Sequence, residues 1–353
     1  MSLSKRRKVI VGAGGAAWWV LEGLDRCGIP VDGFVVTHDR WGKTKACGLP
    51  VWSPKDWSSM PLPPSDYLAV IGIMNPSVDE SKLRLELLQS GWREVMTFTE
   101  FASKIFEEEG INCCMLDPAK TFSDEKSLLA ARNLLSDEKS RYLFDGFLKY
   151  VRRLDESGLP PIDEVPYFPS DLSYLPKRLR FLDLGAYDGD TLLIARERGY
   201  EIEAAICFEP DSESFKKLAK SKVQFLNTIC LPLAVSEKTT KVTFSNSGDT
   251  GSKVLSEGSE IIQSVTLDDS CYGFAPNFIK MDIEGSEYEA LLGATKILER
   301  NLPRLAISVY HTPKDIWRIP ILISRIYGPD TEYFLRRHSR AIADTVLYVA
   351  PKG

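Results

Sequence analysis

The sequence predicts an α/β protein in which two domains each contain a mostly parallel sheet. Two stretches support this prediction, because each reads as a strand, a glycine-rich turn and the start of a helix: residues 8–17 and residues 180–195. Apolar runs typical of buried strands alternate with amphipathic helical segments along the chain, which favours Rossmann-like α/β domains. With 353 residues the chain is long enough for two of them.

Composition and charge narrow the classes of function. Hydrophobic residues make up 44% and charged residues 26% of the chain, as in soluble globular proteins. The formal net charge of −5 argues against a nucleic-acid partner, since an acidic chain does not neutralise a phosphate backbone. The 7 Cys have no regular spacing, which indicates reduced thiols and a cytoplasmic location. We expect no membrane span, because no segment reaches the ~18 apolar residues that a transmembrane helix needs.

Residues 1–110 are predicted to form the smaller, N-terminal Rossmann-like domain. A strand at residues 8–11 leads into residues 12–17, whose G-x-G-x-x-A pattern is a variant of the dinucleotide-binding fingerprint. The basic and apolar start also imitates a secretory signal, but its glycines favour a strand and a helix. Two interpretations of residues 12–15 stay open. They form a nucleotide or nucleotide-sugar pocket, or the domain serves packing or dimerisation, in which case a homodimer is expected.

Residues 111–178 are predicted to be a helical connector. Serines followed by acidic residues start two predicted helices, at residues 123–135 and 136–154, as helix capping favours. Five prolines between residues 160 and 176 then interrupt regular structure. Among them, Tyr167 and Phe168 are predicted to form a lid over a ligand or a hydrophobic plug, and the plug is favoured.

The turn after the strand at residues 180–184 carries the first predicted ligand contacts. Gly185 and Gly189 let the backbone come close to a ligand where a Cβ would collide. Acidic side chains crowd this turn, so that a pyrophosphate is disfavoured and a cationic ligand is favoured. S-adenosylmethionine fits, because it carries a sulfonium and an ammonium group. The acidic residues are Asp183, Asp188 and Asp190.

The next strand tip supports the same cofactor. Glu209 follows a predicted strand and lies about 20 residues after the turn, where an acid can accept hydrogen bonds from both ribose hydroxyls. Pro210 comes directly after it. Residues 229–235 are predicted to be one further strand that ends at Val235. We expect cofactor contacts at Glu209, Pro210 and Val235.

A second signature occupies residues 278–294. A buried strand ends at Asp282 and a helix follows, so Asp282 and Glu284 are expected at the carboxyl end of the sheet, where open α/β sheets bind ligands. His311 follows the next predicted strand and is expected at the same edge. Lys280 alternates with Asp282 and either faces the same side or is an ordinary strand lysine.

Taken together, these motifs resemble the FkbM family of S-adenosylmethionine-dependent methyltransferases over residues 180–350. The resemblance is carried by residues 181–190, residues 208–211 and, above all, residues 279–287. It implies that residues 179–353 form a methyltransferase domain with a seven-stranded sheet that binds the cofactor. The implied activity is methylation of a hydroxyl on a sugar or a secondary metabolite. Tyr187 departs from the family's turn, which often has Asn there, so no role is carried over to it.

Methyl transfer to oxygen requires a group that takes the proton of the attacking hydroxyl. His311 is the first candidate base, because an unperturbed histidine pKa of about 6.5 lies close to working pH, and Asp282 is the second. The predicted cofactor contacts are Asp183, Gly185, Asp188, Gly189, Glu209, Pro210, Val235 and Asp282. For a small-molecule or carbohydrate acceptor, the predicted contacts are Glu284 and His338.

We predict no metal site. Asp282, His311 and His338 are conceivable ligands, but they come from distant strands and follow no metal-ligand spacing rule. Two rival classes of function stay open. One is a non-catalytic protein that binds a nucleotide and a cofactor, which the absence of S-adenosylhomocysteine formation would reveal. The other is an NAD-dependent oxidoreductase that uses residues 12–17, which titration with NADH would reveal, although no dehydrogenase-like catalytic pattern follows.

Overall fold

A computed structural model describes residues 6–38, 44–73, 78–109, 124–153, 158–163, 165–221, 227–245, 253–255, 260–339 and 341–352. Contacts divide the chain into two compact units, the first comprising Met1–Pro118 and Arg152–Leu154, and the second Ala119–Val151 and Asp155–Gly353. The domain boundaries predicted near residues 110 and 178 stay predictions. Within the described ranges, no helix combines the length and the apolar character needed to cross a bilayer.

The first unit contains a six-stranded sheet of order β3-β4-β2-β1-β5-β6, in which every pair is parallel except β3 with β4. Its strands are β1 (Arg7–Val11), β2 (Val31–Val35), β3 (Lys45–Ala46), β4 (Leu49–Trp52), β5 (Tyr67–Ile71) and β6 (Glu94–Met96). Its helices are α1 (Gly15–Arg26), α2 (Glu80–Gln89) and α3 (Phe98–Glu109), with short 3₁₀ turns at Pro54–Ser59 and Pro64–Asp66. All residues of β5 are buried, as expected for a parallel strand covered on both faces.

Close packing explains the small residues of the first glycine-rich turn. Gly12 has a φ of +95°, and a Cβ there would lie 2.6 Å from Ile73 Cγ1. A Cβ on Gly72 would lie 2.7 Å from the Cα of Ala17, the last residue of the fingerprint. The small residues therefore let α1 approach the end of β5, as the third position of this fingerprint is expected to do.

The second unit contains a seven-stranded and a four-stranded sheet. Its strands are β7 (Arg178–Leu184), β8 (Glu201–Phe208), β9 (Thr228–Leu231), β10 (Ala234–Val235), β11 (Thr240–Ser245), β12 (Lys253–Leu255), β13 (Glu260–Val265), β14 (Phe278–Met281), β15 (Arg304–Ser308), β16 (Thr331–Arg337) and β17 (Thr345–Pro351). The helices wholly or mostly in this unit are α4 (Glu125–Leu134), α5 (Glu138–Arg153), α6 (Asp190–Glu197), α7 (Ser212–Lys220), α8 (Leu267–Ser270), α9 (Glu287–Leu292), α10 (Thr295–Asn301) and α11 (Asp315–Tyr327). Residues 123 and 154, the outer ends predicted for the two connector helices, lie outside the described residues.

The order of the larger sheet is β16-β17-β15-β14-β7-β8-β9, and β17 runs antiparallel to both of its neighbours. The remaining pairs are parallel, so the carboxyl ends of β7, β8, β14 and β15 meet at one edge. Aromatic side chains pack together in the core of this sheet, where the ring centroids of Phe181 in β7 and Phe278 in β14 lie 4.6 Å apart. The predicted α/β fold class, with a seven-stranded sheet and a smaller N-terminal sheet, is confirmed.

The prediction of one strand at residues 229–235 was wrong. The segment forms two strands in two different sheets, because β9 joins the larger sheet and β10 pairs with β13 in a sheet of order β10-β13-β11-β12. Pro232 separates them and has no N–H to continue a ladder.

Two serines cover the outer edge of the larger sheet. The hydroxyl of Ser136 accepts the N–H of Tyr333 at 2.9 Å, and the hydroxyl of Ser140 accepts the N–H of Leu335 at 2.8 Å. Ser136 N–H in turn donates to the carbonyl of Tyr333 at 2.8 Å. The start of α5 and the residue before it therefore satisfy polar groups that β16 would otherwise present at an open edge.

Candidate active site

A cavity of about 440 Å³ opens at the carboxyl ends of β7, β8 and β14. This volume lies within the about 300–1,000 Å³ typical of small-molecule sites. Six of the residues predicted to touch cofactor or acceptor line it: Gly185, Glu209, Pro210, Val235, Asp282 and Glu284.

The glycine turn after β7 is held by the protein's own backbone. Gly185 has a φ of +76°, and a Cβ there would lie 1.9 Å from the carbonyl oxygen of Asp282. From the sequence, this glycine was expected to let a ligand approach the backbone, but the nearest obstacle to a Cβ is the end of the neighbouring strand. Gly189 has a φ of +90° and stands at the N-terminus of α6.

A buried ion pair supports the turn from below. Asp183 is fully buried, and its Oδ1 lies 3.2 Å from Lys280 Nζ, which also donates to the carbonyl of Gly185 at 2.5 Å. Burial raises the pKa of Asp183 to about 6, although the charge of Lys280 opposes the shift. Of the pair only Lys280 lines the cavity, and Asp188 also lies outside the lining residues. Cofactor contacts by Asp183 and Asp188 stay predictions.

Glu209 is the carboxylate at the tip of β8, and only 7% of it is exposed. Its Oε2 accepts the N–H of Tyr187 at 2.8 Å, and its Oε1 accepts the N–H of Asp211 at 2.9 Å. Burial raises the pKa of Glu209 to about 7, while the two backbone N–H groups partly oppose the shift. The structure thus holds a strand-tip carboxylate in the cavity wall, oriented by its own backbone neighbours.

Tyr167 connects the proline-rich segment to Asp282. Its hydroxyl donates to Asp282 Oδ2 at 2.8 Å, and its ring lines the cavity. Its φ of +66° is unusual for a bulky residue, and two tyrosines hold this conformation. Tyr348 Oη accepts the N–H of Tyr167 at 2.9 Å, and Tyr174 Oη donates to its carbonyl at 2.6 Å. The role of Tyr167 and Phe168 as a hydrophobic plug, favoured over a lid, stays a prediction.

His311 lies behind the cavity wall, with 5% of its side chain exposed. Its Nδ1 is 2.9 Å from Glu287 Oε1, and its Nε2 is 3.5 Å from both Asp282 Oδ1 and Glu284 Oε2. Burial alone would lower the pKa of His311, but these carboxylates raise it to about 10. Burial favours the neutral form of Asp282, yet His311, Lys280 and Tyr167 together lower the pKa of that carboxyl.

The part of the chain that builds this site matches a known protein family. Residues 183–339 match the family model of the methyltransferase FkbM domain. The chain contains a methyltransferase FkbM domain. The resemblance stated from the sequence is confirmed for this region, which includes the end of β7, the glycine turn, Glu209, Asp282 and His311.

A solved structure has the same fold. The crystal structure of methyltransferase FkbM from Methylobacillus flagellatus KT superimposes with a TM-score of 0.66 and 24% sequence identity. The alignment covers 98% of this chain and 90% of that chain, so the likeness in fold extends to the N-terminal region. None of the curated proteins matches the chain significantly.

His338 lies elsewhere in the methyltransferase domain. Its Nδ1 donates to the carbonyl of Asp163 at 3.1 Å, and its Nε2 lies 2.8 Å from Tyr348 Oη, which can donate because it already accepts from Tyr167. Burial lowers the pKa of His338. His338 is absent from the cavity lining and supports the tyrosines that hold Tyr167, so its predicted contact with an acceptor stays a prediction.

Sequence reasoning missed several groups of the methyltransferase domain. Glu287 lay within the quoted signature, and its place at the first turn of a helix after Asp282 was a usable signal. Tyr310, the residue directly before His311, lines the cavity without having been predicted as a site residue. Asp344 also lines the cavity, but it comes from the loop before β17 and no pattern in the sequence marked it.

Proposed function

We propose that the chain is an S-adenosylmethionine-dependent methyltransferase that methylates a hydroxyl of a sugar or a sugar-containing metabolite. One observation carries the proposal: a single cavity in a methyltransferase FkbM domain is lined both by the glycine turn with Glu209 and by Asp282. A cofactor and an acceptor can therefore meet in one site.

The residues at one end of the cavity suit the cofactor. Glu209 is a buried carboxylate whose two oxygens each accept one backbone N–H, and hydroxyl donors of a ribose would satisfy its remaining acceptor sites. Asp190 and Thr191 line the same end, at the first turn of α6. S-adenosylmethionine, when bound, would supply a methyl group on a cationic sulfur, and the acidic lining favours that charge.

The other end of the cavity suits a polyhydroxyl acceptor. Asp282 and Glu284 line it and accept hydrogen bonds, while Tyr167 and Tyr310 provide aromatic surface. We assign the contact with the attacking hydroxyl to Asp282, because it is a carboxylate that lines the cavity at the end of β14. His311 lies behind Asp282 and acts through it as a positioning residue.

Turnover tests this proposal. The protein is incubated with S-adenosylmethionine and a panel of sugars, glycosides and nucleotide sugars, and mass spectrometry follows S-adenosylhomocysteine and singly methylated products. Asp282→Asn is expected to lower kcat by roughly 10²–10⁴-fold, the range for loss of a general acid–base group. Glu299→Gln, an exposed acid in α10, is the matched control and should leave kcat unchanged.

Two results would contradict the proposal. Absence of S-adenosylmethionine binding would remove its central claim. Methyl transfer to nitrogen or carbon, with no transfer to oxygen, would retain the cofactor and refute the acceptor class.

A further inference from the structure

Three residues that each carry an unpartnered buried polar atom lie close together beside the cavity. Within the described residues, one potential ligand atom from each of Asp282, Glu287 and His311 lies within 4.8 Å of the others. Each of the three residues also carries a buried atom that makes no hydrogen bond to a described residue: Asp282 Oδ1, Glu287 Oε2 and His311 Nε2. Buried polar atoms normally find partners, so this coincidence points to a missing one.

A proton on His311 does not satisfy the group. An N–H on Nε2 would lie 3.5 Å from the nearest oxygens, Asp282 Oδ1 and Glu284 Oε2, which exceeds a normal hydrogen-bond distance. Three carboxylates also surround one imidazole, because Glu287 lies 2.9 Å from Nδ1. Lys280 also acts on Asp282, but its ammonium is paired with Asp183. The three carboxylates therefore outnumber the imidazole as charges, and this favours a divalent cation in a buried site.

We propose that Asp282, Glu287 and His311 bind one divalent metal ion at the wall of the cavity. One imidazole and two carboxylates make a mixed nitrogen and oxygen ligand set without thiols, which suits Mn²⁺ or Zn²⁺. No metal site was predicted from the sequence, and the ligands proposed here differ from Asp282, His311 and His338, because Glu287 takes the place of His338.

The local backbone builds this group before any ion arrives. Glu287 is completely buried, and its Oε1 accepts the N–H of Ile283 at 2.9 Å, which fixes the carboxylate beside His311. Glu284 has a φ of +57°, a conformation that costs energy for a residue with a side chain. This conformation brings Glu284 Oε2 within 3.5 Å of His311 Nε2, so a further carboxylate lies next to the ion.

The role of the ion rests on the proposed function. Asp282 both lines the cavity and belongs to the ligand group, so a bound ion lies next to an acceptor. A divalent ion would orient neighbouring hydroxyls of a sugar and lower the pKa of the attacking one. The acceptor class that this predicts is a molecule with adjacent oxygen atoms able to chelate a metal.

Direct binding measurements test the site without cofactor or acceptor. The full chain is stripped with a chelator, dialysed and titrated with MnCl₂ or ZnCl₂ in a calorimeter, and bound Mn²⁺ is counted by electron paramagnetic resonance. We expect one ion per chain. Glu287→Gln retains the shape of the side chain. It and His311→Ala are each expected to weaken binding by more than about 10–100-fold, the range for loss of a residue that only supports a ligand. His38→Ala, at an exposed histidine in the first unit, should bind the ion like the unchanged protein.

Two outcomes would overturn the metal site: no bound ion, or an ion whose affinity is the same in Glu287→Gln and His311→Ala. Circular dichroism checks folding, and if His311→Ala does not fold, Asp282→Asn replaces it. A separate titration with S-adenosylmethionine distinguishes the two proposals. Cofactor binding without metal binding would refute only the metal site, whereas metal binding without cofactor binding would refute the proposed function.

Discussion

The chain builds a glycine-rich turn between a strand and a helix twice, and the two turns differ in what surrounds them. In the first unit, a Cβ on Gly12 would collide with Ile73, and a Cβ on the neighbouring Gly72 would collide with Ala17, so both glycines serve close packing. In the second unit, Gly185 also packs against backbone, but the turn lines a cavity. Glycine spacing alone therefore reports close packing, and it does not distinguish a binding turn from a structural one.

The strand that follows each turn makes the distinction. β8 is followed by the buried acid Glu209, which lines the cavity, whereas β2 is followed by the buried Val36 and then by exposed residues that include His38. An acid at this position can accept ribose hydroxyls, and a surface histidine offers no equivalent pair of acceptors. The ligand chemistry thus depends on the next strand tip more than on the glycines.

Stability should show the largest difference between the two turns. Gly185→Ala places a Cβ against the carbonyl oxygen of Asp282 at positive φ, so we expect it to lower the free energy of unfolding of the second unit by roughly 2–5 kcal/mol. Gly12→Ala meets the side chain of Ile73, which can move, so we expect roughly 1–2 kcal/mol. Denaturant titrations followed by circular dichroism measure both, and equal losses would refute this ranking.

Cofactor affinity should separate the two strand tips. Glu209→Ala leaves ribose hydroxyls unpaired, so we expect S-adenosylmethionine to bind more weakly by roughly 1–3 kcal/mol. The matched variant His38→Ala changes the tip of the first unit and should leave the dissociation constant unchanged. Calorimetric titration measures both, and a loss of equal size in His38→Ala would place the cofactor in the first unit instead.

The affinity for the cofactor should also depend on pH through Glu209. Because the folded pKa of Glu209 is raised to about 7, this group is mostly protonated at pH 6 and mostly ionised at pH 8. The ionised form is the better acceptor of ribose hydroxyls, so binding should tighten as pH rises and be about tenfold weaker at one pH unit below the pKa. Glu209→Gln should flatten the profile, and a dependence that persists in this variant would assign it to another group.

The smallest effect is expected at the first turn. Gly14→Ala changes a glycine with a φ of −91°, which any residue adopts, so S-adenosylmethionine affinity should change by less than about 0.5 kcal/mol. Fluorescence titration with NADH is the companion measurement, and we expect no saturable change. Saturable NADH binding that Gly14→Ala abolishes would show that the first turn binds a nucleotide after all.

The parts of the site that lie at strand ends could be predicted from the sequence. Glu209 and Asp282 each follow a buried strand, and parallel strands end at the same edge, so their proximity follows from the pattern. Tyr167 could not be placed in this way, because its position depends on an irregular segment with a positive φ. The path of the loop that carries Asp344 is likewise set by tertiary contacts.

The same limit applies to the fold. Periodicity located the parallel strands that end at the site, but it did not reveal that Pro232 divides a single apolar run between two sheets. Sheet membership depends on pairing partners far along the chain, which local patterns do not encode. The unpartnered atoms of Glu287 and His311 were equally invisible, because a missing hydrogen bond is a property of the packed state.

The two serines that bond to the outer strand β16 should also limit where the methyltransferase domain can be shortened. A fragment that begins at residue 179 lacks Ser136 and Ser140, which accept the N–H groups of Tyr333 and Leu335. The fragment would expose β16 as a free template to which strands of other molecules can add, so it should self-associate into aggregates. A fragment that begins before α4 keeps this protection. We therefore expect the solubility of a fragment to depend on whether it contains Ser136 and Ser140, and less on whether it contains all of residues 183–339.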